Sequence, residues 1–152
     1  IVEPFAVSHD AADPIGINVF SGNDKATVVT DTGIISDDIL HRLDDSTLLV
    51  LEANYDPHML RFGPYQPFLK QRVASDEGHL SNEMAAQALL MMKRPDFMQV
   101  ILAHRSENNN NAVLVTQTIG KMLVDGGVRI GSEMKLQHGQ PNEIVSMQSV
   151  KR

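Results

Sequence analysis

Three residues that can bind a metal ion each follow an apolar stretch of the sequence. His9 comes after residues 4–8, and His104 comes after residues 97–103. Asp31 ends a run rich in valine and threonine. If these stretches are strands of one sheet, their carboxyl ends place loop side chains at a common edge. Imidazole and carboxylate groups are ligands for zinc, manganese and iron, and an aspartate that bridges two ions suits hydrolysis. The pattern therefore indicates a metal site.

Each of the three residues also has an ordinary explanation when it is taken alone. An imidazole at a strand end is often a hydrogen-bonded surface group. The aspartate of the Asp31-Thr32-Gly33 turn can accept backbone N–H bonds locally. Their shared position after successive predicted strands is what favours a site.

Two further residues are candidates for supporting this chemistry. Glu52 ends the apolar run 47–51, where its carboxylate can hold a ligand imidazole in one tautomer, or can be a solvated strand end. His79, in the segment GHLSN, can donate to a phosphate or an oxyanion. The alternative for His79 is a loop residue that orients Ser81, the predicted cap of the next helix.

Basic and amide side chains near these segments offer a phosphate-binding patch. Arg61, Lys70, Arg72 and Arg105 are the basic residues concerned, and a solvated helix face is the alternative interpretation. The run Asn108–Asn111 supplies amide donors after the last predicted strand, and it can equally cap the helix that follows.

The remaining histidines and three methionines are interpreted as structural. His41 and His138 are judged to have no polar neighbours that would suggest a site. His58 is predicted to be an exposed residue in the first turn of a helix. The methionines predicted to fill the core are Met84, Met91 and Met92.

The elements that must position these residues alternate between strand and helix. Residues 17–20 and 25–30 predict a β-hairpin, and 47–51 and 97–103 predict buried strands. Capping and proline signals predict five helices. They cover 36–43, a turn from Pro57, 65–74, 81–92, and a last helix ending near 125. Three alternating stretches, 128–131, 133–138 and 143–149, predict a small β tail. We therefore expect an α/β fold, a mixed sheet with flanking helices.

Composition limits the class of protein. The chain has 152 residues, 42% of them apolar and 21% charged, which suits one domain with a real core. It has no cysteine, so disulfides, thiolate nucleophiles and cysteine-based zinc sites are excluded. The formal net charge of −6 argues against a broad basic face that binds nucleic acid, but it allows local contacts with a few phosphates. No apolar run reaches the length of a membrane span, so no membrane partner is expected.

Five segments of the sequence are distinctive when taken together. They are PFAVSHDAADPIG (4–16), VVTDTG (28–33), LVLEANYDPHML (49–60), GPYQPFLKQRVASDEGHLSN (63–82) and ILAHRSENNN (101–110). The block GPY…LKQR…GHLSN is the most specific part and is more informative than DTG alone. From about residue 4 to at least residue 120, the sequence resembles the WalJ (YycJ) branch of the metallo-β-lactamase-fold hydrolases.

The resemblance implies a fold, a site and an activity. The fold is a four-layer αββα sandwich with two divalent metal ions (zinc, manganese or iron) at one edge. His9, Asp31 and His104 match its metal ligands, with Asp31 as the bridging one. The branch is described as a bacterial cytoplasmic 5′-to-3′ DNA exonuclease connected with mismatch repair. Candidate substrate contacts are then His79, Arg105 and Asn108.

Two departures from the family limit what this chain is expected to do. The family's HxHxDH motif is absent, since the sequence contains no His-x-His, so residues 1–152 are expected to be the C-terminal part of one domain. Tyr55 stands where the family would have histidine. We expect the isolated chain to be inactive, and to bind its N-terminal half or to self-associate through an exposed sheet.

Two other functions remain open at this stage. One is a metallohydrolase for a small phosphodiester or a lactone, which the acidic net charge mildly favours. The other is an inactive fragment that acts only as an interaction module.

Overall fold

The computed structural model describes residues 1–146, and its strands form a single six-stranded sheet in the order β1-β2-β3-β4-β5-β6. In chain order the strands are β1 (Val2–Ala6), β2 (Ile15–Ser21), β3 (Asp24–Val29), β4 (Leu48–Glu52), β5 (Met98–Ala103) and β6 (Met134–His138). The predicted α/β class with a mixed sheet is confirmed.

Within the described residues, five helices connect or flank these strands. They are α1 (Asp37–Leu43), α2 (Pro57–Phe62), α3 (Pro67–Val73), α4 (Asn82–Met91) and α5 (Ala112–Asp125). Side-chain caps begin four of them: Ser36, Asp56, Ser81 and Asn111 accept the backbone N–H bonds of Ile39, Met59, Met84 and Leu114. Each of these four helices therefore starts where a short polar side chain satisfies an otherwise unpaired N–H group.

Strand direction decides which chain ends share an edge. β1, β2 and β3 pair antiparallel, whereas β3, β4, β5 and β6 pair parallel. Each parallel neighbour is reached by a helical crossover, as parallel pairing requires. β1 consequently runs in the same direction as β3. The carboxyl ends of every strand except β2 lie at one edge of the sheet, and we call it the carboxyl edge.

One face of the sheet carries the core. Alternate residues such as Leu49, Leu51 and Val100 are fully buried there, beneath α1, α4 and α5. A second, smaller cluster joins α2 and α3 to the sheet through Tyr55, packed with Leu60 and Val73. The α2–α3 segment therefore packs as a separate unit beside the carboxyl edge.

The opposite face of the sheet is apolar and has no helix layer among the described residues. Paired positions Ile17, Val28, Val50 and Ile101 form a row across four strands on this face. Val28 is 40% exposed, as is Val19 on β2. Monomeric soluble proteins rarely leave a contiguous apolar surface uncovered.

The tail of the chain differs from its prediction. Residues 133–138 do form β6, but 128–131 contribute only a single bridge at Ile130, because Gly131 adopts a left-handed φ of 97° that turns the chain. The stretch 143–149 has no strand over 143–146, and its remainder lies outside the described residues. No helix in residues 1–146 is long and apolar enough to cross a membrane.

Candidate metal centre

The carboxyl edge brings together side chains from five separate segments. His9 follows β1, Asp31 follows β3, Glu52 ends β4 and His104 follows β5. His79 arrives from the loop before α4, which is hydrogen-bonded to the chain beyond β4 through Asn54 N and Leu80 O at 2.9 Å. The expectation that His9, Asp31 and His104 lie at one edge matches this geometry.

Three imidazole rings stand in a row at this edge. The ring centroid of His79 lies 5.1 Å from that of His9 and 5.2 Å from that of His104. The Nδ1 atom of His9 donates to the carbonyl oxygen of Gly78 at 3.0 Å, because a carbonyl can only accept. The Nε2 atom of His9 is therefore free of its proton in the neutral ring.

Glu52 fixes the other two imidazoles. Its Oε1 atom accepts hydrogen bonds from Nδ1 of His79 at 2.8 Å and from Nδ1 of His104 at 2.7 Å. Its Oε2 atom accepts the backbone N–H groups of Thr32 at 3.1 Å and Leu80 at 3.3 Å. Four donors thus satisfy a carboxylate that has no solvent exposure. The solvated-strand-end interpretation of Glu52 is wrong.

The protonation of this network follows from its hydrogen bonds. Burial acts to raise the pKa of Glu52, but hydrogen bonds from His104, His79 and the Thr32 N–H outweigh it and hold that pKa below its usual value. The hydrogen bond to Glu52 raises the pKa of His104 against the opposing effect of burial. Glu52 is therefore ionised and acts only as an acceptor, so both rings carry their proton on Nδ1.

Asp31 lies near the Nε2 atoms of His9 and His104. Its Oδ1 atom is 3.7 Å from Nε2 of His9 and 3.7 Å from Nε2 of His104. Both Asp31 and His104 have left-handed backbones, with φ of 56° and 53°. Such residues cost about 1–3 kcal/mol each and concentrate at functional sites. Here the left-handed turns redirect the chain at the strand ends, where the two side chains meet.

This donor set fits a divalent metal ion. Ligand distances near 2.0–2.2 Å allow one ion to join donors up to about 4.2 Å apart, and the 3.7 Å separations lie within that span. Among the described residues, the donor atoms of His9, Asp31 and His79 lie mutually within 4.8 Å. Those of Glu52, His79 and His104 do so as well, but these three are already joined by hydrogen bonds. Imidazoles whose second nitrogen is held by a carboxylate or carbonyl are the usual arrangement at metal sites.

Two glycines let the surrounding loops pack closely enough to form the edge. A Cβ at Gly78 would overlap the carbonyl oxygens of Arg72 and Val73, and one at Gly33 would overlap backbone atoms of Ser75 and Asp76. The close approach places the Gly78 carbonyl under His9 and the DTG turn against the 75–78 loop. Gly78 of GHLSN and Gly33 of DTG therefore allow the two loops to pack against each other.

The predicted substrate contacts have different surroundings. Arg105 follows His104 directly, and its Nη1 atom is buried with no hydrogen-bond partner among the described residues. Asn108 is exposed, and its Nδ2 atom donates to the Tyr65 hydroxyl at 3.4 Å. His79 holds Glu52 rather than Ser81, whose hydroxyl caps α4 through Met84 N. The helix-orienting interpretation of His79 is wrong.

The other basic residues of the predicted patch lie on α2 and α3. Arg72 forms a two-pronged ion pair with Asp10, whose Oδ1 atom lies 3.5 Å from Nε2 of His9. Lys70 donates to the Arg61 carbonyl oxygen at 2.9 Å, so these two residues lie together on the α2–α3 segment.

Several structural interpretations from the sequence need correction. His41 and His138 do have polar neighbours: His41 contacts Asp44, and Nε2 of His138 lies 2.9 Å from Thr116 Oγ1. Burial, together with the charge of Arg105, lowers the pKa of His138. Met91 is 67% exposed because it ends α4 on its outer side.

Some candidate residues have a structural role. Asn111 caps α5 through Leu114 N, and Asn110 joins Asn82 in the core, so the capping alternative holds for part of the asparagine run. His138 ends β6 and pairs with Leu102 of β5, the strand that leads to His104. The sequence alone does not show this proximity. Tyr55, the departure from the expected histidine, is buried in the small cluster with Leu60 and Val73.

Comparison with curated proteins finds relatives named as nucleases. The chain is 34% identical over 149 residues to exodeoxyribonuclease YycJ of Bacillus anthracis, covering 98% of this chain and 56% of that protein. It is 33% identical over 141 residues to exodeoxyribonuclease WalJ of Streptococcus pneumoniae serotype 2, covering 93% of this chain and 52% of that protein. The chain thus spans about half the length of the curated relatives it matches.

Comparison with solved structures gives the fold. The crystal structure of the metallo-beta-lactamase fold protein YhfI from Bacillus subtilis matches with a TM-score of 0.60 at 12% identity. The match covers 91% of this chain and 46% of that one. No protein-family model matches this chain.

Proposed function

The chain is homologous to the YycJ and WalJ exodeoxyribonucleases and has the metallo-β-lactamase fold, and from this premise we propose that it forms part of a metal-dependent DNA exonuclease. The single observation that carries the proposal is the array of fixed donors at the carboxyl edge, where buried Glu52 holds two imidazoles toward Asp31. The proposed reaction is hydrolysis of a phosphodiester, with 5′-to-3′ polarity on DNA.

We assign the metal ligands on this chain to His9, Asp31 and His104. Asp31 would be the ligand shared by two divalent ions, of zinc, manganese or iron, because its Oδ1 atom lies 3.7 Å from Nε2 of each histidine. Ligands for a complete dinuclear site must then come partly from outside these residues. The side chains of Asp31 and His104 are each 42% exposed, which leaves the site open to substrate.

Glu52 is proposed to be a positioning residue. It contacts the rings of His79 and His104 but faces the protein interior, so it orients the imidazoles rather than touching substrate. Keeping the proton of each ring on Nδ1 leaves Nε2 available, either to bind an ion or to exchange a proton with substrate.

The remaining groups have roles in holding the phosphodiester. Divalent ions bound at this edge would supply a water-derived nucleophile at neutral pH and would stabilise charge on the phosphate. As an imidazolium, with Nδ1 still bonded to Glu52, His79 would donate its Nε2 hydrogen to a phosphate oxygen. Arg105, which directly follows His104, and exposed Asn108 are proposed to donate to phosphate oxygens.

The open sheet face supports a proposal about what covers it. The apolar row through Val28 and Val50 would be buried by the N-terminal half of the same protein or by a second copy of the chain. Since the chain spans about half of its relatives, we propose that activity belongs to the complete protein and that this chain alone is inactive.

A second candidate substrate is favoured by charge. The net charge of −6 disfavours long contacts with a polyanion and suits a small phosphodiester or a lactone better. An interaction module without activity is the third possibility.

One assay separates these candidates. The complete protein is incubated with Mn²⁺ or Zn²⁺ and 3′-labelled single-stranded DNA, bis(p-nitrophenyl) phosphate, a cyclic dinucleotide or a lactone. We expect metal-dependent shortening of the DNA from its 5′ end. Turnover of only the small phosphodiester or lactone supports the second candidate, and no turnover with any metal contradicts enzymatic activity.

A further inference from the structure

Arg72, in the last turn of α3, forms an ion pair with Asp10 beside the candidate metal centre. Its Nη2 atom donates to Oδ1 of Asp10 at 2.9 Å, and its Nε atom donates to Oδ2. The same Oδ1 atom lies 3.5 Å from Nε2 of His9. One carboxylate oxygen therefore lies next to both the guanidinium and the metal-facing nitrogen of a proposed ligand.

Main-chain contacts hold both partners of this pair in place. Asp10 N donates to the Glu77 carbonyl oxygen at 3.1 Å, and the Arg72 carbonyl oxygen accepts from Ser75 Oγ at 2.8 Å. The 75–78 loop thus joins the end of α3 to the segment after β1. These contacts do not use the Arg72 side chain, so the loop does not depend on the ion pair for its position.

The two-pronged contact leaves one side of the guanidinium facing away from Asp10. Arginine has five N–H donors in a planar fork. Within residues 1–146, the side-chain hydrogen bonds of Arg72 use Nε and Nη2, so Nη1 lies on the far side of the fork from the carboxylate. The Arg72 side chain is 57% exposed. A phosphate oxygen can therefore accept from Nη1 without displacing Asp10.

The ion pair also removes a repulsion at the carboxyl edge. Asp10 alone would add a negative charge 3.5 Å from His9 Nε2, on an edge that already carries Asp31 and Glu52. A phosphodiester that approaches this edge would be repelled by an unpaired carboxylate. Because Arg72 neutralises Asp10, the pair presents a hydrogen-bond donor instead of a net negative charge.

We propose that Arg72 binds the backbone phosphate next to the one that is hydrolysed, and that Asp10 is the positioning residue for its guanidinium. The proposal rests on the exonuclease function above and adds a second phosphate contact to that site. The guanidinium bonds Asp10 and lies beside the metal-facing donors, so it meets a neighbouring phosphate and not the phosphate at the metal ions. The site is thus built for a substrate with linked phosphates, such as DNA, in preference to one with a single phosphate.

Steady-state kinetics of the complete protein with Mn²⁺ test this assignment with two substrates. Arg72→Ala is expected to raise the KM for a DNA oligonucleotide at least about tenfold, with a much smaller effect on kcat. The KM for bis(p-nitrophenyl) phosphate, which has one phosphate, is expected to change far less. Arg72→Lys keeps the charge but loses the fork, so it is expected to recover only part of the DNA KM.

Equilibrium binding gives a readout that does not depend on turnover. In EDTA, Arg72→Ala is expected to bind labelled DNA, single-stranded or duplex, about tenfold more weakly than wild type, with a salt dependence reduced by roughly one phosphate contact. Adding Asp10→Asn to Arg72→Ala is expected to restore part of the affinity, because it removes the carboxylate that was left unpaired. Isothermal titration is expected to show that Asp10→Asn alone loses far less Mn²⁺ affinity than Asp31→Asn.

Arg129→Ala is the matched control. Arg129 also forms an exposed ion pair, in which its Nε atom donates to Oε1 of Glu133 at 2.7 Å. It precedes β6, at the edge of the sheet opposite the carboxyl edge. The DNA affinity of this variant is expected to match that of the wild type, and weakening equal to that of Arg72→Ala overturns the proposal, because it makes the effect one of net charge.

The remaining outcomes separate the phosphate contact from the function on which it rests. Unchanged DNA KM and affinity in Arg72→Ala overturns the contact and leaves the metal-dependent exonuclease standing if Asp31 variants lose activity. An equal rise in KM for bis(p-nitrophenyl) phosphate overturns the assignment to the neighbouring phosphate. Mn²⁺ loss in Asp10→Asn as severe as in Asp31→Asn overturns the positioning role, because it makes Asp10 a metal ligand. Wild-type protein that neither binds nor cleaves DNA overturns both proposals.

Discussion

Glu52 and His104 are joined by a hydrogen bond of 2.7 Å between Oε1 and Nδ1, which crosses from the end of β4 to the loop after β5. The carboxylate is fully buried and ionised, so the imidazole must donate from Nδ1 and present Nε2 to the carboxyl edge. The same oxygen serves His79. One buried acid therefore sets the orientation of two of the candidate functional rings.

Replacing that acid tests its positioning role. Glu52→Gln brings an NH₂ group to face either the imidazole N–H groups or the N–H groups of Thr32 and Leu80, so the network cannot be satisfied. We expect metal affinity to fall about 10- to 100-fold. Isothermal titration with Mn²⁺ and Zn²⁺ measures it. Glu3→Gln, on exposed β1, is the control, and equal affinity in both variants would contradict the role of Glu52.

Asp31 is predicted to be indispensable for metal binding and activity. Asparagine tolerates the left-handed backbone, so Asp31→Asn removes the charge without straining the turn. We expect bound metal to drop and phosphodiester hydrolysis to fall at least about 100-fold. Asp45→Asn is the matched control, since Asp45 is also left-handed, with φ of 57°, and pairs with Lys93 away from the site. Full metal content and activity in Asp31→Asn would refute its assignment as a ligand.

Gly78 is predicted to be required for stability and metal binding, because a side chain at this position would overlap neighbouring backbone atoms. In Gly78→Ala the new methyl group would overlap the Arg72 and Val73 carbonyl oxygens and displace the carbonyl that holds His9. We expect the free energy of unfolding to fall by about 1–3 kcal/mol, together with weaker metal binding. Urea denaturation followed by circular dichroism measures the first effect.

Gly120 provides the control for that experiment. It lies within α5, where a Cβ would make only an ordinary contact, 3.9 Å from Ile130. Gly120→Ala is therefore expected to be neutral or to stabilise the protein by up to about 1 kcal/mol. A Gly78→Ala protein as stable as wild type would mean that the 75–78 loop moves freely, contrary to the packing described.

The open sheet face predicts self-association of the chain when it is alone. With Val19 and Val28 each 40% exposed, we expect size-exclusion chromatography with light scattering to give a mass above 16.8 kDa. Val19→Lys with Val28→Lys is expected to return the chain to a monomer, while Val113→Lys on α5 changes nothing. A monodisperse wild-type monomer would argue against the predicted covering of this face.

The sequence predicted the order of strands and helices well because capping residues and apolar runs mark their ends. Ser36, Asp56 and Ser81 each start the helix expected of them. The tail was harder, since alternation at 128–131 could not reveal the Gly131 turn. Candidate residues at strand ends were identifiable because parallel crossovers bring carboxyl ends together.

The sequence could not predict which side chains from distant segments contact one another. Glu52 and His79 are 27 residues apart, and nothing local indicates that one carboxylate serves two rings. The neighbours of His138 arise from strand pairing, and the exposure of Phe62 and Phe68 depends on which apolar residues of α2 and α3 face inward. Such relationships are set by tertiary packing and not by local pattern.

The most direct test of the metal centre is anomalous diffraction from crystals of the complete protein grown with Mn²⁺ or Zn²⁺. Anomalous peaks are expected within ligand distance of Asp31 and of the Nε2 atoms of His9 and His104, with Glu52 hydrogen-bonded to Nδ1 of the His104 ring. Strong metal peaks elsewhere, with these residues empty at saturating metal, would contradict it.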